Sequence, residues 1–114
     1  MATLYVRNFS FKDSLSDDEV LEQWRLLTGE ATQAIENVEG VRSVKWYSGA
    51  GALRAQIRAA IDMDDAAAYE RLLVDPTVSK LLGRVYGAWD LNTATQTFLR
   101  EVTSELIAAL SSTG

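Results

Sequence analysis

The chain predicts an α+β domain in which helices cover one side of a four-stranded antiparallel sheet. Three observations carry that expectation. Alternation with a period of two recurs in four short stretches. Two longer stretches switch to apolar positions spaced by three and four. Their order is β-α-β-β-α-β, with one more helix after it. The 114 residues suit one domain, with a core at 3–91 and a terminal helix at about 93–110.

Strand one is residues 3–11, "TLYVRNFSF", where Leu4 and Val6 share one side and Tyr5, Arg7, Phe9 and Phe11 the other. In "SLSDDEVLEQW" the period changes. Ser16 with Glu19 makes a capping box, and Asp17 and Asp18 suit the positive end of a helix. Val20, Trp24, Leu27, Ala31, Ala34 or Ile35, and Val38 continue one amphipathic helix over 17–38, with Gly29 as its weak point and Gly40 as its stop.

Strand two is "VRSVKWYS", 41–48; Gly49 and Gly51 permit a tight turn, and strand three follows at 52–61. Aspartates in "DMDD" cap a helix that runs to about Val74. Pro76 then restarts a short helix, "PTVSKLLG", closed by Gly83. Strand four is "RVYGAWDL", 84–91. Asn92 or Thr93 caps the last helix, with Phe98, Leu99, Val102, Leu106, Ala109 and Leu110 on one side.

A helix between strands one and two makes them parallel, and the tight turn makes strands two and three antiparallel neighbours. Sheet order 4-1-3-2, the ferredoxin-like βαββαβ arrangement, satisfies both halves. Both helices then lie on one face. In strand three Leu53, Ala55, Ile57, Ala59 and Ile61 fall on the helix side, with Arg54, Gln56 and Arg58 opposite. Leu4 and Val6 are expected inward with them. An even-residue turn sets Trp46 beside Leu53 and Val44 beside Ala55; a three-residue bulged loop reverses strand two.

The bare face is then expected to show Tyr5, Arg7, Phe9, Phe11, Lys45, Tyr47, Arg54, Gln56 and Arg58, with Tyr86 beside them. Aromatics and arginines together mark interface cores, so a second copy is expected to cover this face as a twofold homodimer. Lys45 and Arg54 are expected as cross-strand neighbours, a like-charge pair that an anion would relieve. Tyr5, Arg7, Lys45, Tyr47, Arg54, Arg58 and Tyr86 are the candidate ligand-binding residues; no catalytic residue is assigned. Trp24, Trp46 and Trp89 are expected to fill core, as is the Tyr69 ring, with its hydroxyl at a pocket edge.

Composition narrows the chemistry. With no cysteine and no histidine, thiolate catalysis, sulfur-ligated metal centres and imidazole proton transfer are excluded. "DMDD" lacks the glycine and distant glutamate of a calcium loop, so no metal is expected there. "GAG" at 49–51 opens no helix and so is no phosphate loop. A net charge of −5 with no basic run disfavours nucleic acid. No cofactor is expected. No signal peptide pattern and no apolar run near ~20 residues are present, so a soluble, cytoplasmic protein without a membrane partner is expected.

"VEGVRSV", the hairpin "WYSGAGALRAQI" and the broken helix "AAAYERLLVDPTVSKLL" resemble the dimeric α/β-barrel superfamily. That superfamily includes proteins similar to antibiotic-biosynthesis monooxygenases and stress-responsive barrel proteins. The likeness spans residues 3–91. It implies two sheets packed as a barrel, with ligand pockets between helices and sheet or at the barrel centre. Haem-binding members use a histidine that this chain lacks, and stress-responsive members carry histidines where it reads "YVRNFSF" and "DPTVSKLL". Cofactor-free monooxygenases of the group hold an aromatic polyketide with Asn, Trp, Tyr and Arg. Asn8, Trp46, Tyr47 and Arg54 or Arg58 are of those types. Two readings follow. One is a small homodimeric protein binding an aromatic or amphiphilic molecule, of cofactor-independent monooxygenase type, in which Tyr47, Arg54 and Arg58 position the substrate. The other is a non-catalytic ligand-binding or interaction module of the same fold.

Overall fold

The computed structural model describes residues 2–49 and 53–112. Strands β1 (Thr3–Phe11), β2 (Val41–Tyr47), β3 (Ile57–Met63) and β4 (Trp89–Arg100) form one antiparallel sheet in the order β2-β3-β1-β4. This is the expected 4-1-3-2 order read from the other edge. The first helical run comprises α1 (Asp17–Leu26), a π-helical turn at Leu27–Ala31 and α2 (Thr32–Glu36). Ser16 and Glu19 cap it reciprocally, Glu19 N–H donating to Ser16 Oγ at 3.1 Å and Ser16 N–H to Glu19 Oε1 at 3.0 Å. The π turn includes Gly29, the weak point in the sequence. There the Thr32 N–H reaches back five residues to the Leu27 carbonyl, which also accepts from Thr32 Oγ1 at 2.6 Å.

Asp65 caps α3 (Ala66–Val74), accepting from Ala68 N–H. Asp75 ends α3 and caps α4 (Pro76–Tyr86), accepting from Val78 N–H at 2.9 Å with Pro76 in the first turn. Capping, as expected, occupies Asp65 of "DMDD". The chain therefore breaks at "VDP" and lays two short helices over the sheet instead of one long one.

The core has two parts, both between the sheet and the helices. Tyr5, Ile61, Met63 and Val44 meet Ile35, Val38, Ala68, Leu72 and Val78. Phe9, Phe11, Ile57 and Trp89 meet Val20, Leu27, Ala31 and Val85. Phe9 stacks on Trp89 with ring centroids 3.6 Å apart.

The face of β1 is the main correction. Tyr5 pairs with Ile61, Arg7 with Ala59 and Phe9 with Ile57. Since directly opposed residues share a face, the odd-numbered row lies under the helices. Tyr5, Phe9 and Phe11 are 5%, 2% and 2% exposed. Leu4, Val6 and Asn8 take the open face instead, opposite Asp62, Ala60 and Arg58. Three aromatic rings bury more apolar area than one leucine and one valine, and that excess decides the orientation.

The hairpin differs as well. Strand β3 begins at Ile57, and Val44 pairs with Ile61 and Trp46 with Ala59, rather than with Ala55 and Leu53. The connection is longer than a two-residue turn, and part of the expected turn, at 50–52, lies outside the described residues. Arg54 is consequently no strand residue and no neighbour of Lys45, which opposes Ala60. Its guanidinium donates to the Leu15 carbonyl at 3.2 Å and to Asp17 at 2.7 Å, tying the loop to the start of α1. Lys45 and Tyr47 do share the open face with Arg58, as expected, Tyr47 being its direct partner.

At the C-terminal end, Gly83 does not close a helix. Helix α4 runs through it to Tyr86, and residues 84–86 are helix, not strand. Residues 93–100 are strand where a helix was expected; "TATQTFLR" is rich in β-branched and aromatic side chains and completes a ladder with β1. The last helix, α5 (Ser104–Ser112), is correspondingly shorter, with Thr103 Oγ1 accepting from Leu106 N–H. Apart from half-buried Leu106, residues 104–111 are exposed. The radius of gyration is 16.1 Å, above the ~13 Å of a compact chain of this length. The excess fits the exposure of α5, since β4 stays paired with β1 through Arg100.

Two glycines make a paired test. Gly40 has φ +92°, and a Cβ there would lie 2.8 Å from the Ala68 Cβ and 2.6 Å from an Arg71 nitrogen. Gly83 sits inside α4, where a Cβ would meet nothing within 4 Å. The same change is therefore expected to act with opposite signs in urea denaturation: Gly40→Ala destabilises by about 1–3 kcal/mol, and Gly83→Ala stabilises by about 0.5–1 kcal/mol.

Candidate functional site

A cavity of about 210 Å³ lies between the helix-facing side of the sheet and the helices. Its floor is built by period-two alternation: Tyr5 and Arg7 from β1, Ala59 and Ile61 from β3, Trp46 from β2 and Trp89 from β4. Its roof is Ile35 from α2, Tyr69, Leu72 and Leu73 from α3, and Val78, Ser79, Leu82 and Tyr86 from α4. The space exists for a local reason. Ala59, the smallest side chain of the row, sits directly between Arg7 on one neighbouring strand and Trp46 on the other. Leu73, 58% exposed, stands where the cavity meets solvent.

Arg7 is the only charged residue in this lining. Its guanidinium carbon lies 5.4 Å from the Tyr86 ring centre and 5.2 Å from that of Trp89. These are cation–π distances, and such contacts soften the cost of holding a cation under the helices. Among the described residues no carboxylate forms an ion pair with it; the ion pairs present are Arg25–Glu22, Arg42–Asp64, Arg54–Asp17 and Arg84–Glu30. The Trp89 indole N–H is buried with no hydrogen-bond partner. The other two indoles are satisfied, Trp46 by Thr32 Oγ1 at 2.8 Å and Trp24 by the Leu53 carbonyl at 2.7 Å.

At one end of the cavity Tyr5, Tyr69 and Phe98 form a cluster, with centroid separations of 5.0, 5.0 and 4.4 Å. The Tyr5 hydroxyl donates to Gln96 Oε1 at 2.9 Å. Burial pushes its phenol above the ordinary tyrosine value; the neighbouring Arg7 pulls the other way, and Tyr69 adds to the rise. Tyr5 is thus a neutral hydroxyl at ordinary pH, a hydrogen-bonding group and no base.

Of the seven residues singled out in the sequence, the structure brings together three. Tyr5, Arg7 and Tyr86 all line this cavity, on the side of the sheet opposite to the one expected. Lys45, Tyr47 and Arg58 lie on the open face, where Arg58 donates to Asn8 Oδ1 at 2.9 Å. Arg54 is held at α1. The trio Tyr47, Arg54 and Arg58 therefore does not converge. Asn8 is apart from Trp46, on the other side of the sheet. The open face has its own hollow, of about 760 Å³, lined by Leu4, Val6, Asn8, Tyr47, Arg58, Ala60 and Leu99 among others. Sequence reasoning misses the residues that make the cavity, Ala59 and Leu72, and the unsatisfied Trp89 N–H. One signal is there to be found: Arg7 interrupts a strand row that is otherwise aromatic.

Among the described residues there is no cluster of metal-ligating side chains, and no helix is long and apolar enough to cross a membrane. No protein-family model and no curated protein matches the sequence. Solved structures do match its fold. A dimeric ferredoxin-like protein from Bacteroides fragilis is 12% identical with a TM-score of 0.73, over 88% of this chain and 96% of that one. SnoaB, a cofactor-independent oxygenase from Streptomyces nogalater, is 11% identical with a TM-score of 0.72, over 90% and 95%. An antibiotic biosynthesis monooxygenase is 10% identical with a TM-score of 0.70, over 90% and 100%. The chain accordingly has the ferredoxin-like α+β fold that these structures share.

Proposed function

We propose that the protein is a homodimer that binds a small aromatic or amphiphilic molecule in the cavity beneath α3 and α4, and that it acts as an oxygenase of the cofactor-independent kind. The single observation that carries the binding reading is the void itself: an apolar space with one cation, several hydroxyls and an unpartnered N–H in its walls. Ligand pockets have this composition, apolar walls with a few placed polar groups. The oxygenase reading draws on the matching folds of SnoaB and the antibiotic biosynthesis monooxygenase. In that reading Arg7, Tyr5 and Tyr86 orient the substrate, and the aromatic walls exclude water around it. The alternative, a binding module without catalysis, uses the same cavity.

Pairing through the open face is supported by its apolar content. Leu4, Val6, Ala60 and Leu99 share it with Tyr47, and Leu99 is 49% exposed in the single chain. Val102, Ile107 and Leu110 continue an exposed apolar set into α5. Two of the matching structures are described as dimeric.

Sedimentation equilibrium is expected to return twice the chain mass, and Leu99→Asp is expected to lower it toward the single-chain value while leaving the far-ultraviolet circular dichroism unchanged. A monomer at high concentration overturns the dimer. For the catalytic reading, an oxygen electrode with an electron-rich phenolic substrate and no added metal or cofactor is expected to record consumption that Tyr86→Ala reduces by about tenfold or more, the scale of losing one positioning group. Saturable binding of aromatics without oxygen consumption leaves the binding module as the function.

A further inference from the structure

The cavity has a size and a charge that together specify a ligand more narrowly than "aromatic". Its volume is about 210 Å³. A dry cavity of roughly 150 Å³ takes one benzene, so this one has room for a single ring with one small substituent and not for fused rings. Its one charge is positive, with no carboxylate paired to it among the described residues. Two aromatic faces flank the guanidinium, but they satisfy none of its in-plane N–H donors. The neighbouring Tyr5 hydroxyl can accept from one of them, and because Arg7 is half-buried its remaining donors can reach water or a bound acceptor. One of the flanking faces belongs to Trp89, 3% exposed, whose own N–H is unsatisfied. A buried donor without an acceptor, as at Trp89, is costly, and that residue lines the same void as the half-buried Arg7 cation.

An acceptor that meets both would be anionic, planar and small enough to share the space with a ring. We propose that the cavity binds a monoanionic single-ring acid, its carboxylate on Arg7 with the Trp89 N–H as second donor, and its ring against the apolar walls of Ala59, Ile61 and Leu72. This rests on the cavity being the binding site, and it adds the charge and the size limit. Every polar group in the lining is a cation, a hydroxyl or an N–H; no acid opposes the anion. The complementary expectation is that neutral isosteres bind poorly, because they leave the Arg7 charge uncompensated.

The test compares benzoate, benzamide and 9-anthroate by isothermal titration and by the change in tryptophan fluorescence, on the wild-type protein at neutral pH. Benzoate is expected to bind at least about tenfold more tightly than benzamide, in line with hydrogen bonds to charged groups exceeding neutral ones, and 9-anthroate not to enter. Arg7→Met is expected to abolish the acid-over-amide preference. Trp89→Phe, which keeps a ring against Phe9 but removes the N–H, is expected to weaken benzoate more than benzamide. Equal binding of benzoate and benzamide overturns the anion assignment while leaving the cavity as a binding site. Tight binding of 9-anthroate overturns the size limit. Binding of none of the three overturns both the inference and the cavity reading. The wild-type comparison decides the matter even if Arg7→Met does not fold.

Discussion

The two-residue period of β1 is the constraint on which the rest of the structure depends. Once Tyr5, Phe9 and Phe11 are committed to the helix side, Arg7 has no choice, because it occupies the same row. Magnitudes explain the commitment. Burying three aromatic side chains is worth roughly 5–9 kcal/mol, and little is forgone on the other face, where Val6 is still only 8% exposed. Holding a guanidinium beneath the helices costs some of that margin, and the Tyr86 and Trp89 faces offset part of the cost. The cation under the roof is thus a consequence of how the aromatics pack.

The cavity follows from the same row. Arg7 on β1 and Trp46 on β2 flank Ala59 on β3, so two long side chains stand either side of a methyl. The roof cannot fill the gap, because the chain breaks at Asp75–Pro76 and α3 and α4 approach as separate short helices. Fold, void and charge therefore share one cause. The open face is left with Leu4, Ala60 and half-exposed Leu99 around an already buried Val6, a patch whose natural cover is another apolar surface.

The sequence is most legible where local chemistry acts alone. Ser16 and Glu19 mark the first helix start, the aspartates of "DMDD" the next and Pro76 the one after, and the element order leads to the sheet order. It is least legible where two faces compete. Residues 3–11 carry apolar side chains on both sides, so alternation identifies the strand without saying which side faces in. Burial of the larger rings settles that, and it is a tertiary effect. The turn after Tyr47 misleads because two glycines suggest a tight hairpin, whereas Arg54 is drawn away to Leu15 and Asp17. "TATQTFLR" imitates a helix because Phe98, Leu99 and Val102 fit a helical spacing over a short window; pairing with β1 outweighs that pattern. Tyr5, Arg7 and Tyr86 stand out by type, yet their meeting place depends on the face that alternation cannot choose.

The most direct measurement is a nuclear Overhauser map of isotopically labelled protein, which reports the inward side of β1 in solution. Cross-peaks from the Tyr5 ring to the methyl groups of Leu72 and Val78 are the result this account requires. Cross-peaks from Leu4 and Val6 to those methyl groups, with none from Tyr5, would contradict it and remove the cavity with it.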